Sequence, residues 1–265
     1  MDEQTLLERL IAGRVNAVLD EVLTILETDD GKSFEEKKEK IDQLLSAKIE
    51  KPEASRDKSS VPNVTDTFWQ QGEITVAEGL ILRRVKETDR EHYLALEQHY
   101  FVAKSMLEDE TFRDKVWRNH IDDKTLLLVV EQNSEYIGYC GIKDTTQEHW
   151  EIMIELFPQW TNRGIGYSTI HAMLDALKRR LGVTSYRVRI EPSNTASQHL
   201  FEKLGATPNG ITEYLLHGAE ELGKYEEANL QYITAQLSAV AQKFGVAPRK
   251  LLSHVLEYRL EWNAE

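Results

Sequence analysis

The stretch Gln159-Trp160-Thr161-Asn162-Arg163-Gly164-Ile165-Gly166-Tyr167-Ser168 decides the fold. Before it, residues 149–157 read as an apolar strand. After it, residues 164–181 place Ile170, Met173, Leu174, Leu177 and Leu181 on one helical face. Two glycines in a strand-to-helix turn let a ligand come close to the backbone, and the first helical turn presents free N–H groups at the positive end of the helix dipole. Such a turn suits an anion, a pyrophosphate in particular. No Gly-Lys-Ser/Thr ending makes it a P-loop, and no third glycine makes it a dinucleotide turn.

Working outward, residues 125–131, 136–142 and 149–157 are three apolar-rich segments separated by Asn133-Ser134 and by Lys143-Asp144-Thr145-Thr146. Such short links predict an antiparallel meander. Upstream, residues 79–85 read as a strand, Thr88 or Asp89 caps a helix running to about Tyr100, and a second helix covers 109–120. Downstream, Gly182 ends the long helix as a left-handed cap. Tyr186, Val188 and Ile190 then alternate with Arg187, Arg189 and Glu191 in a strand, and a helix over about 195–204 stops before Gly205. The expected core domain, residues 79–216, is α+β, with a mixed and largely antiparallel sheet flanked by helices.

Both flanks read as helical. Leu7, Ile11, Val15, Val18, Val22 and Leu26 recur at steps of three and four, and Ser33 with Glu36 forms a capping box for a second helix. Residues 1–49 are thus expected as a helical arm, fit for dimerisation or for packing on the main domain. Residues 50–78 are expected as a linker, since up to Asp66 they carry almost no large apolar residue to offset their ordering entropy. Residues 217–265 are expected as a helical extension: Leu230, Ile233, Leu237, Val240 and Phe244 lie on one helix, and Leu251, Leu252, Val255 and Leu256 on a second after Gly245. The Ala241 to Gly245 spacing resembles a helix-turn-helix DNA reader, but this tail holds four basic and five acidic residues from Glu226 onward. That is poor footing for phosphate contacts.

The 265 residues exceed one small domain, and 41% hydrophobic with 29% charged is an ordinary globular composition. A net charge of -13 argues against nucleic acid and anionic membrane as partners. Ten basic and sixteen acidic residues precede Thr67, so -6 of that charge lies in the arm and linker. The single Cys140 allows neither an intramolecular disulfide nor a cysteine-cluster metal site, which fits a reducing cytoplasm. The opening residues predict no signal peptide, no run approaches the length of a membrane span, and the eight histidines form no metal-binding pair.

With Glu191-Pro192-Ser193-Asn194-Thr195-Ala196-Ser197 opening the helix after the next strand, the chain resembles the GNAT superfamily of acetyl-CoA-dependent N-acetyltransferases. Within it, the resemblance is to the branch typified by ribosomal-protein N-terminal acetyltransferases, over residues 79–216. The family turn Gln/Arg-x-x-Gly-x-Gly/Ala is matched by Gly164 and Gly166, with Thr161 where Gln or Arg is usual and Arg163 placed to compensate. The later pattern is matched by Asn194, Ser197, Glu202, Lys203 and Gly205. The resemblance implies acetyl transfer from acetyl-CoA to a primary amine on a protein N-terminus, lysine or small molecule. It assigns the CoA pyrophosphate to Arg163, Gly164, Ile165, Gly166, Tyr167 and Ser168, the CoA arm to Asn194, and the thioester carbonyl to a backbone N–H near Leu156 and Phe157. Glu151, seven residues before Pro158, is the first candidate for amine binding or general base, with Glu155 second on the same strand face. Where many members carry a thiolate-protonating Tyr this chain has Phe201, so Ser197 takes that role. Thr161 and Phe201 also motivate an alternative, a non-catalytic acyl-CoA-binding or regulatory module on this fold; a third reading is a DNA-binding regulator using the tail.

Overall fold

The three apolar segments pair as expected. β3 (Leu126–Gln132), β4 (Glu135–Ile142) and β5 (Trp150–Leu156) run antiparallel in sequence order. Asn133 and Ser134 join the first two at φ 51° and 67°, the left-handed pair whose twist matches a two-residue hairpin. This computed structural model describes residues 64–100, 104–214 and 216–263, so the expected arm at 1–49 and residues 50–63 of the expected linker lie outside it.

β2 (Leu80–Arg84) pairs antiparallel with β3 and with β1 (Ile74–Ala77), while β6 (Ser185–Ile190) joins β5 in parallel. With β7 (Thr207–Glu213) and β8 (His254–Glu261) the order is β1-β2-β3-β4-β5-β6-β8-β7, a mixed, mostly antiparallel sheet flanked by helices. The described residues divide into two compact units. The larger spans 64–190, 194–209 and 257–263, and the smaller 191–193 and 210–256.

In the larger unit, α2 (Arg90–Tyr100) and α3 (Glu110–His120) cover one sheet face. Tyr93, Leu94, Leu96 and Trp117 pack on Leu127, Val129, Tyr136 and Tyr139 there; Leu127 and Val129 share a side because side chains alternate, and the β-bulge in β4 opposite Val130 and Glu131 brings Tyr136 to the side of Tyr139. Asp109 caps α3 by accepting the Phe112 N–H at 2.8 Å, and Arg90 ties the helices together through Glu110 and Asp114. α4 (Ile165–Leu181) buries Ile170, Met173, Leu174 and Leu177, and Gly182 at φ 73° ends it with its N–H on the Lys178 carbonyl. α1 (Val64–Trp69) is held by Arg180, which donates to the Phe68 and Gly72 carbonyls at 3.0 and 2.9 Å. α5 (Thr195–Lys203) completes this unit.

In the smaller unit, α6 (Ala219–Ala228) and α7 (Ala235–Phe244) are helical, but the single helix expected through Leu230 and Ile233 begins only at Ala235, because a 3₁₀ turn at Leu230–Tyr232 precedes the Thr234 N-cap. Buried Glu226 accepts from Lys250 at 2.9 Å and Ser253 at 2.8 Å, which fixes α6 to the chain after α7.

Three expectations at the edges of the core need correction. The end of the linker is structured: Ile74–Ala77 is a strand, turned at Gly79 (φ 69°) into β2. The second helix of the C-terminal extension does not form, and a 3₁₀ turn at Pro248–Leu252 leads into β8. The helix-turn-helix is therefore not built. Leu256, Tyr258 and Leu260 are buried while Glu257, Arg259 and Glu261 are not, a period of two that the helical spacing of Leu251, Leu252 and Val255 obscured. β7 carries Pro208 and Gly210, which a sheet tolerates here because β7 is an edge strand. Among the described residues no helix is long and apolar enough to cross a membrane, and no three His, Cys, Asp or Glu side chains are grouped to hold a metal ion.

Candidate functional site

β5 is paired along its length on one side only. The Phe157 N–H donates to the Ile137 carbonyl, and the Lys143 N–H to the Glu151 carbonyl, both at 2.9 Å. Backbone groups of alternate residues point to opposite sides of a strand, so Glu151 and Phe157 face β4, and Ile154 and Leu156 face the other way. On that other side, pairing with β6 reaches only Trp150 and Glu151. The Leu156 N–H therefore looks into the opening where β6 has parted from β5, and the Phe157 N–H does not. The Leu156 carbonyl on the same side accepts the Tyr100 hydroxyl of α2 at 2.7 Å. Gly138 allows this close alignment: a Cβ there would lie 2.1 Å from the Glu155 carbonyl oxygen and 2.8 Å from Leu156 Cα.

The two candidate carboxylates share a strand face but not an environment. Glu151 Oε2 accepts from Arg189 Nε at 2.8 Å and Arg187 Nη2 at 3.2 Å, so two guanidinium groups of β6 hold it. Glu155, four residues on, lies beneath α2. Its side chain is hydrogen bonded with Glu97 and Tyr139, and its buried Oε2 has no hydrogen-bond partner. Burial and the adjacent Glu97 carboxylate push the Glu155 carboxyl well above the usual range, while the Tyr139 hydroxyl opposes this by donating to it. Burial also raises Glu97, which is 9% exposed. Tyr93, Tyr136 and Tyr139 surround the pair, and burial raises each phenol.

The glycine turn forms as its sequence predicts. Asn162 (φ 57°) and Gly164 (φ 78°) are left-handed, and Gly164 is the N-cap of α4 without a capping side chain. The first intrahelical bond runs from the Ser168 N–H to the Gly164 carbonyl, which leaves the N–H groups of Ile165, Gly166 and Tyr167 open at the helix start. Space in front of Gly164 is empty to 4 Å from a built Cβ. Arg163 is exposed beside the turn, its guanidinium 5.3 Å from the Trp160 ring centre. Gly166 packs on Ile154, Leu156 and Leu200, so the turn sits over the open end of β5 with α5 alongside. Lys203 of α5 places its ammonium 4.5 Å from the Tyr167 ring centre.

Ser197 lies half-buried in the first turn of α5, one turn before Leu200. Asn194 is the N-cap of that helix, its Oδ1 accepting the Ser197 N–H at 3.0 Å. Phe201 is core, 2% exposed. Leu156, Gly164, Ile165 and Gly166 thus come together at the β5 opening, while Glu151 is drawn into ion pairs with β6. Sequence reasoning missed Glu97 and Tyr100. Glu97 carried a signal: it interrupts the stripe of Tyr93, Leu94 and Leu96 at helical spacing, where a carboxylate must be buried. Tyr100 carried none, because its partner is a backbone carbonyl.

The arrangement can hold a pyrophosphate at a helix start, offer one N–H to a carbonyl where the strand opens, and present a carboxyl of raised pKa at the adjoining residue. The Acetyltransferase (GNAT) domain family matches residues 79–207. Among solved structures, RimL, a ribosomal L7/L12 alpha-N-protein acetyltransferase in complex with coenzyme A, has TM-score 0.52 and 14% identity over 73% of this chain and 99% of its own. An acetyltransferase from Salmonella typhimurium that modifies the N-terminal serine of L7/L12 has TM-score 0.47 and 13% identity over 72% and 99%. A spermidine N-acetyltransferase SpeG chimera from Vibrio cholerae has TM-score 0.48 with 16% identity over 69% and 95%. Identities this low speak for the fold alone. No curated protein matches the chain by sequence.

Proposed function

Residues 79–207 form a GNAT acetyltransferase domain, and on that premise we propose that the chain transfers an acetyl group from acetyl-CoA to a primary amine, using the end of β5 as its reaction centre. The observation that carries this reading is the Leu156 N–H aimed into the β5–β6 opening directly beneath the glycine turn. A donor fixed by the sheet is already oriented towards a thioester carbonyl and needs no reorganisation as charge develops on its oxygen.

Each task then falls to a group in this unit. The open N–H groups of Ile165, Gly166 and Tyr167, with Arg163 and Ser168 at the rim, hold the pyrophosphate. Asn194 shapes the start of α5, and through it Ser197, whose hydroxyl supplies the proton for the departing thiolate. Glu155 takes the proton of the amine. Its raised pKa suits that exchange near neutral pH, since a base works best when its pKa lies near the working pH. Glu151 is already engaged by Arg187 and Arg189, and we assign it to holding β5 against β6. The protein N-terminus, the target of the alpha-N-protein acetyltransferase RimL, is the first acceptor to try. As the sole cysteine, buried Cys140 fits a cytoplasmic setting.

Calorimetry with acetyl-CoA, followed by thiol release against peptide N-termini, lysine peptides and polyamines, tests the reading. Saturable binding and amine-dependent thiol release are expected. Binding without release on any amine would make the chain an acyl-CoA-binding module, and no binding would overturn the reading altogether.

A further inference from the structure

Glu97 has no part in the roles assigned so far, yet it is among the most deeply buried acidic side chains of the larger unit and it meets Glu155 across the α2–β5 contact. We propose that Glu97 and Glu155 hold one proton between them, and that this pair, rather than Glu155 alone, takes the proton of the incoming ammonium.

The geometry supports this independently of any titration. Glu155 stands opposite Tyr139 in the β4–β5 register, Tyr139 meets Tyr93 of α2 edge-on at 5.7 Å, and Glu97 is buried one helical turn on from Tyr93, so both carboxyls lie under one aromatic layer, where two like charges without a cation repel strongly. The side chains facing the pair are Tyr93 and Tyr100 from α2, His120 from α3, and Tyr136 and Tyr139 from β4, with Met153 and Phe157 beside them on β5. His120 stacks on Tyr93 at 3.6 Å and is uncharged, burial pushing it down to about 3. Arg83, whose charge acts on Tyr136, is held by Asp89 at 2.8 Å and Glu131 at 2.5 Å. A shared proton therefore takes the place of a counter-ion. The unpartnered Glu155 Oε2 is the position left for a donor from outside the protein, and an ammonium is such a donor.

The step balances. One N–H bond of the ammonium breaks and its proton passes to the pair, which goes from monoanion to neutral. The freed lone pair forms the C–N bond, the C–S bond breaks with its electrons on sulfur, and a second nitrogen proton ends on the thiolate, by way of Ser197. After the amide leaves, the pair returns the extra proton to solvent. Glu97 acts through Glu155 and is a positioning residue.

This inference rests on the acetyltransferase reading, so the test has one arm that needs no acceptor. Carbon NMR of protein labelled at the glutamate side-chain carboxyls follows wild type, Glu97→Gln, Glu97→Asp and Glu155→Gln through pH in the presence of CoA. Wild type is expected to show two linked titrations, the later one above the ordinary carboxylate range. Glu97→Gln is expected to lower the Glu155 midpoint by about one pH unit or more, through loss of the like charge, and Glu97→Asp to keep it raised. In the kinetic arm, with the most active amine of the panel, the acid limb of the kcat profile moves with the NMR midpoint. If the carboxyls titrate independently, or Glu97→Gln leaves the Glu155 midpoint in place, proton sharing is overturned. If the midpoint moves and the acid limb stays, the pair is structural and its catalytic part is overturned. Absence of acetyl-CoA binding overturns the acetyltransferase reading and the amine step with it, while the NMR arm still decides the sharing.

Discussion

Glu151 and Glu155 lie on the same face of the same strand, four residues apart, and the sheet gives them opposite surroundings. At Glu151, β6 is still paired, and Arg187 and Arg189 reach across to hold the carboxylate. At Glu155, β6 has parted from β5, no guanidinium reaches it in the structure described, and α2 supplies a second carboxyl instead. Where a parallel partner stays in register its side chains neutralise the strand's charge. Where it departs, the carboxyl is left without that guanidinium partner.

The contrast can be broken by substitution. Glu155→Gln should cost turnover about 10²- to 10⁴-fold, the usual scale for removing a general base, with acetyl-CoA affinity kept. Steady-state thiol release beside calorimetry checks this, and an equal turnover loss in Glu151→Gln would erase the distinction. Gly138→Ala should destabilise by about 1–3 kcal/mol or more, because its Cβ would meet the Glu155 carbonyl at 2.1 Å and push β4 from β5. Denaturant midpoints measure it, and a neutral result would mean that the strands do not approach so closely. Glu151→Gln should cost about 1 kcal/mol of stability, discounted for partly exposed arginines, and the loss should shrink at high salt while the folded protein turns over normally. Tyr100→Phe removes a single neutral hydrogen bond to Leu156, worth about 0.5–1.5 kcal/mol, and should slow turnover only a few-fold.

How much was legible depended on whether the signal was local. The Asn133-Ser134 hairpin, the α4 stripe and the Gly164 turn were readable because each depends on residues a few positions apart. β8 was misread because Leu251, Leu252, Val255 and Leu256 satisfy a helical period, while Leu256, Tyr258 and Leu260 satisfy a strand period that only placement in the sheet selects. The order of Glu151 before Glu155 as base came from spacing to Pro158, which cannot register that Arg187 and Arg189 lie one strand away. Glu97 became visible only when α2 was placed over β5, since a buried carboxylate has meaning through its partner and Glu155 lies 58 positions along the chain.

A crystal structure with bound CoA tests the central claim most directly. The account predicts the pyrophosphate on the N–H groups of Ile165, Gly166 and Tyr167, the arm running into the β5–β6 opening, and the sulfur beside Leu156 on the side of Glu155. A CoA sulfur lying against Glu151, or a molecule bound away from the Gly164 turn, would contradict it.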